Sequence, residues 1–108
     1  VQMNAWWERT DAREMARKNS QGALLELVAL YEGLAAEERA LADQVLLEWI
    51  GSENDRKRFD ALAMVDRFRI RSAIAPLRSL ASTIEKQGGH EAPYELAKIK
   101  RIVSRLAE

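Results

Sequence analysis

Few side chains in this sequence are typed and spaced for chemistry. His90 is the only histidine, set in Gln87-Gly88-Gly89-His90, and there is no cysteine in the 108 residues. That excludes a thiol nucleophile, a zinc–thiolate site and a disulfide framework. A lone loop imidazole without clustered carboxylates reads as a solvated side chain rather than a ligand or a general base. Gly88-Gly89 is followed by His90-Glu91 and not by the Lys-Ser/Thr that a phosphate-cradling loop needs. Ser72, Ser79 and Ser82 lack a base to activate them. Asp66 is the one carboxylate to weigh as an acid, because it follows Phe59 and Leu62 on a side of its helix that should face inward. With no second carboxylate near it, an internal tie to Arg58, Arg69 or the backbone amides of the next helix is the simpler reading. No catalytic residue, metal site or cofactor is expected, and the chain is read as a non-enzyme.

The elements that must carry any remaining function are helices. Asn4 is placed to cap a first helix over 5–18, whose Trp6, Trp7, Ala12, Met15 and Ala16 are scattered around the wheel. Trp6 shares a side with Arg13 and Arg17, which suggests cation–π cover, and Trp7 projects about 100° away; either at least one of the two is partly exposed for binding or, the commoner case, a terminal Trp pins the helix onto the core. Ser20 would cap a second helix over 21–34 with Leu24, Leu27, Val28, Leu30, Tyr31 and Leu34 on its apolar face. A third runs from Ala35 or Ala36 to Ile50, stopped by Gly51-Ser52. It groups Leu41, Ala42, Val45, Leu46 and Trp49 on one side and Glu37, Gln44 and Glu48 on another, and it leaves Leu47 in a polar neighbourhood. The fourth, 55–69, is apolar nearly all round, with Asp60 and Arg67 on its wet strip. The fifth, 72–86, admits Pro76 only in its first turn and opposes an apolar stripe to the small face of Ala75, Ser79, Ser82 and Thr83. The last begins at Pro93 and runs to Ala107, with Leu96, Ile99, Ile102, Val103 and Leu106 opposite Lys98, Arg101 and Arg105.

Length and charge bound the rest. One domain spanning 1–108 is expected, with no apolar run near the roughly 20 residues that cross a bilayer and no apolar secretory segment after the N-terminus. Met3 reads as the native start, with Val1 and Gln2 as remainders. The formal net charge of zero divides unevenly: residues 1–55 carry eleven acidic and five basic side chains, and residues 56–108 carry six and twelve. Within 20–55, Arg39 is the lone base among eight acids, a bias that would steer a basic partner.

Asp55 and Arg58 near the start of the fourth helix, Ala61 and Ala63 within it, and Ala73, Pro76, Leu77 and Leu80 in the fifth together resemble a HEAT-like repeat of the short type found in phycobilisome-lyase-like proteins. The usual glycine near the end of the first helix is absent, with Asp66-Arg67-Phe68 in its place. The resemblance implies an all-α fold, about six helices in a short right-handed α-α superhelix, with 21–34 and 36–50 as a degenerate preceding repeat. In size and architecture the chain is also similar to the small all-helical immunity proteins encoded beside bacterial toxin domains.

That resemblance implies a cytoplasmic protein, monomeric until it binds and blocks a basic toxin domain, a nuclease being one such class because it must hold phosphates. Solenoid repeats present a concave surface from the second helix of each pair, here 36–50 and 72–86. Glu37, Gln44 and Glu48 on one and Ser79, Ser82 and Thr83 on the other then form the partner surface. Leu47 and Trp7 are further contacts that would equally serve a scaffold or adaptor. Nucleic-acid binding through Lys98, Arg101 and Arg105, joined by Arg56, Lys57, Arg67 and Arg71, is the alternative, ranked lower because the net charge is zero and the acidic half repels phosphate. No membrane contact is expected.

Overall fold

The computed structural model describes residues 3–108, so the reading of Val1 and Gln2 as remainders lies outside the described residues. The fold is all-α. Among the described residues six helices, α1 (Met3–Ala16), α2 (Gly22–Glu32), α3 (Ala36–Ile50), α4 (Asp55–Arg67), α5 (Ile74–Gln87) and α6 (Ala92–Ala107), are joined by short links, one of which holds a 3₁₀ turn at Arg71–Ala73. No described helix is long and apolar enough to cross a membrane. The backbone falls into two compact units, Val1–Val45 and Leu46–Glu108, with the boundary inside α3.

In the first unit α1 packs on α2. Asn4 lies inside α1 and not ahead of it, and the position before α2 is Gln21, which makes no side-chain cap, so neither Asn4 nor Ser20 plays its expected part. The buried stripe of α1 is Met3, Trp7, Thr10, Asp11 and Glu14, three of the five polar. Glu14 accepts from Arg13 at 3.4 Å and lies 3.9 Å from Arg17, and Arg13 also pairs with Glu26 of α2. The two arginines expected over Trp6 are thus engaged with carboxylates. Gly22 makes the approach of α2 feasible: a Cβ there would sit 2.5 Å from the Glu14 Cγ. At the start of α3, Glu38 accepts from the Ala35 N–H at 2.9 Å, one half of a capping box.

In the second unit the leading pairs are α5 with α6 and α4 with α6. The α4–α5 pair that a HEAT repeat would put first is the lesser contact. Asn54 caps α4 by accepting from the Lys57 N–H at 3.2 Å. Ala61, Leu62, Met64 and Val65 of α4 are buried, and so is Asp60, which the periodicity had placed on the wet strip. α4 ends in a Schellman turn: the Ile70 N–H donates to the Val65 carbonyl at 3.0 Å, and Arg69 takes the left-handed conformation at φ 51°. A non-glycine residue thus does the work of the missing glycine. Asp66 is a structural tie, as anticipated, but half-buried and with a different partner, since Arg105 of α6 donates to both carboxylate oxygens, Nε···Oδ1 being 2.9 Å. Arg71 donates from Nε to the Leu106 carbonyl at 3.0 Å and satisfies one of the open acceptors at the end of α6.

Pro76 falls in the first turn of α5 as required, and Gly88 and Gly89, at φ 66° and 109°, supply the turn into α6.

Candidate protein-binding groove

The second unit brings four of the expected partner residues together. Leu47 and Glu48 in the last turn of α3, with Ile50 and Gly51, face Pro76, Ser79, Leu80 and Thr83 of α5 across a hollow of about 290 Å³. Leu47 is half-buried, and Glu48, Ser79 and Thr83 are exposed. Leu47 is therefore not an isolated apolar residue in polar company but part of a hydrophobic floor with Ile50, Pro76 and Leu80.

This hollow continues into a second one of about 460 Å³, lined by Gly51, Ser52, Glu53, Asp55, Arg58, Leu80, Thr83, Ile84, Gln87 and Glu95. Gly51, Leu80 and Thr83 line both. The electrostatics of the continuation centre on Arg58, whose side chain is only 16% exposed. Its guanidinium donates to Asp55 Oδ1 at 2.6 Å and to the Ser52 carbonyl at 2.9 Å, and lies 3.7 Å from Glu95. Arg58 is therefore satisfied from within. Glu53 and Glu48 remain at the surface, so the two hollows together are lined by four carboxylates and one guanidinium. The Thr83 hydroxyl donates to its own helix, to the Ser79 carbonyl at 3.1 Å.

The remaining expected residues lie elsewhere. Ser82 lines a different hollow of about 440 Å³, with Arg78, Ala81 and Glu85 of α5 and Ile99, Lys100, Val103 and Ser104 of α6. Glu37 and Gln44 are exposed on the part of α3 that belongs to the first unit. Leu41, expected in the core, is 54% exposed beside them, at i+4 from Glu37 and i−3 from Gln44. Trp7 must be withdrawn as a surface contact: it is 1% exposed, because it occupies the inward stripe of α1 with Met3 and Thr10. His90 is an exposed turn residue.

The basic side chains proposed for nucleic acid are largely engaged. Lys98 places its ammonium 4.4 Å from the centre of the Phe59 ring, and burial, then Arg101, holds its pKa below the usual lysine value. Arg105 is held by Asp66 and Arg71 by the end of α6. Lys57 lies over the buried Trp49 ring at 5.2 Å.

The groove residues that sequence reasoning missed are Ile50, Gly51, Pro76 and Leu80 on the floor and Glu53 and Glu95 on the rim. Pro76 and Leu80 carry helix signals that are equally consistent with a core position, and Gly51 is a helix stop on any reading. Comparison of the chain with protein-family models, curated proteins and solved structures finds no match.

Proposed function

We propose that this chain is a non-catalytic protein-binding module with a basic protein partner, and that it serves in the bacterial cytoplasm as an immunity protein neutralising a cognate toxin domain. The observation that carries the binding reading is the groove itself. Leu47 and Glu48 on one helix and Ser79 and Thr83 on another, singled out as partner residues, line one hollow with an apolar floor and an acidic rim. These are the two helices that a HEAT-like repeat would turn to its concave side. Apolar floors supply contact area, and rim carboxylates raise the rate of encounter with a cationic surface. Such a surface belongs to a domain that handles phosphates, hence the preference for a nuclease-like toxin. Nucleic acid as the ligand is disfavoured by the internal engagement of Lys98, Arg105 and Arg71.

The test is coexpression with the product of the neighbouring reading frame. Growth rescue and co-elution of the two chains as one complex are expected, and Glu48→Lys should slow association at low salt by about tenfold while leaving the helical circular dichroism unchanged. Host survival without this chain, or failure of the two products to associate, removes the immunity reading. Salt-sensitive micromolar binding to generic duplex DNA in a gel shift would put the nucleic-acid reading in its place.

A further inference from the structure

Resting on the protein-binding reading, we infer that the groove of the second unit recognises a two-part segment of its partner, one apolar side chain beside one or more Lys or Arg residues, laid across Gly51. The two adjoining hollows differ in chemistry. The one at Leu47, Ile50, Pro76 and Leu80 is apolar and carries the single carboxylate of Glu48. The other carries Glu53, Asp55 and Glu95 around one guanidinium, and that guanidinium is already bound to Asp55 and to the Ser52 carbonyl.

A segment that fills both must therefore be apolar at the first and cationic at the second. A wholly apolar segment would strip water from three carboxylates while bringing only Arg58 to offset them, which costs more than its contact area returns. An acidic segment is repelled along the whole rim.

The junction between the hollows explains how a backbone can pass. It is made by Gly51, Leu80 and Thr83, of which Gly51 has no side chain, Leu80 has no polar side-chain atom, and the Thr83 hydroxyl is already bonded to its own helix. The fold does not require glycine at 51: an added Cβ would meet only the Glu48 carbonyl oxygen, at an ordinary 3.8 Å. Gly51 does not hold a left-handed backbone either, since the positive-φ glycines are Gly88 and Gly89. A large side chain introduced there would stand at the junction without straining α3, which makes position 51 a plug.

The experiment is selection of a phage-displayed random peptide library on the immobilised full chain, with enriched peptides then measured by fluorescence anisotropy against the unaltered chain, Gly51→Trp and Glu53→Lys. Enriched peptides should pair an apolar residue with a nearby Lys or Arg. Gly51→Trp should weaken them at least roughly 30-fold and Glu53→Lys by roughly three- to tenfold, the latter effect shrinking with salt. Circular dichroism of each variant separates blocking from unfolding, and Glu53→Lys, at an exposed position, keeps the test open if Gly51→Trp does not fold. Enrichment of peptides lacking Lys and Arg overturns the inference, as does equal binding to a folded Gly51→Trp. In the second case the protein-binding reading survives with its site elsewhere. No enrichment, while the coexpressed partner still binds, likewise overturns the two-part segment and not the module. A self-dimer in sedimentation that Gly51→Trp dissolves would assign the groove to a second copy of the chain and end the proposal.

Discussion

α1 and α6 are charged helices of 14 and 16 residues, yet they turn different chemistry inward. α6 buries Ile99, Ile102 and Leu106 and buries none of its charged residues fully. α1 buries Met3 and Trp7 and then, one turn further on, Thr10, Asp11 and Glu14. Burial of an apolar stripe is non-directional and roughly proportional to area, so α6 tolerates small shifts in its neighbours. Polar burial holds only where each group meets its partner, as Glu14 meets Arg13 and Arg17 beside Gly22. Attachment by area should therefore fail through cavities, and attachment by geometry through misfit.

The largest effect expected is on the α6 side. Ile102→Ala, at a position 2% exposed, should cost about 2–5 kcal/mol in urea unfolding, and a loss below about 1 kcal/mol would deny α6 its place as an apolar anchor. Next comes Gly22→Ala, whose Cβ would crowd the Glu14 Cγ at 2.5 Å and Cδ at 2.7 Å as well as the Asn19 Nδ2 at 2.8 Å. It should destabilise by about 1–2 kcal/mol alone but become neutral or mildly stabilising in a Glu14→Ala background, where the helix preference for alanine is no longer opposed. Equal loss in both backgrounds would mean that Asn19 sets the limit and Glu14 does not.

Asp66→Asn tests whether α6 also depends on a polar tie. The pair with Arg105 is partly solvated, with side chains 26% and 44% exposed, so about 0.5–1 kcal/mol is expected, well below the Ile102 cost.

The smallest effect concerns a polar tie of the first unit. The Tyr31 hydroxyl donates to Asp43 Oδ1 at 2.8 Å, and burial, then that bond and the Asp43 charge, push its pKa up to about 12 against a partial offset from Arg39, which lies 5.1 Å from the ring centre. Because the folded value is raised above the ordinary 10.0, this contribution to stability is complete below pH 10 and is lost as the pH rises through about 12. Ultraviolet titration of Tyr94→Phe, which leaves Tyr31 as the sole tyrosine, should find the midpoint near 12 and lower in Asp43→Asn. An unmoved midpoint in Asp43→Asn would leave burial as the whole cause.

The helices were legible because their signals are local. Gly51-Ser52, Pro76, Gly88-Gly89 and Pro93 mark boundaries through backbone conformations and missing donors that no distant contact alters. Leu47, Glu48, Ser79 and Thr83 were legible as surface candidates because a wheel separates small, charged and odd-residue-out positions from an apolar stripe. Leu41, Asp60 and Trp7 were not, since each lies at a wheel position compatible with either side. Which side is buried depends on what other helices bring to it.

The sequence by itself determined that the chain is all-α, where its helices begin and end to within a few residues, and that cysteine chemistry is excluded. Tertiary structure alone decided that Asp66 meets Arg105, that Arg69 takes the left-handed turn, that α6 rather than α4 leads the pairing with α5, and that Ile50, Gly51, Pro76 and Leu80 form one floor. The reason is the range of the forces involved. Helix propensity and capping act over about four residues, whereas a groove or an ion pair joins positions some 25 to 40 apart in sequence, and nothing in the local pattern states which of them will meet.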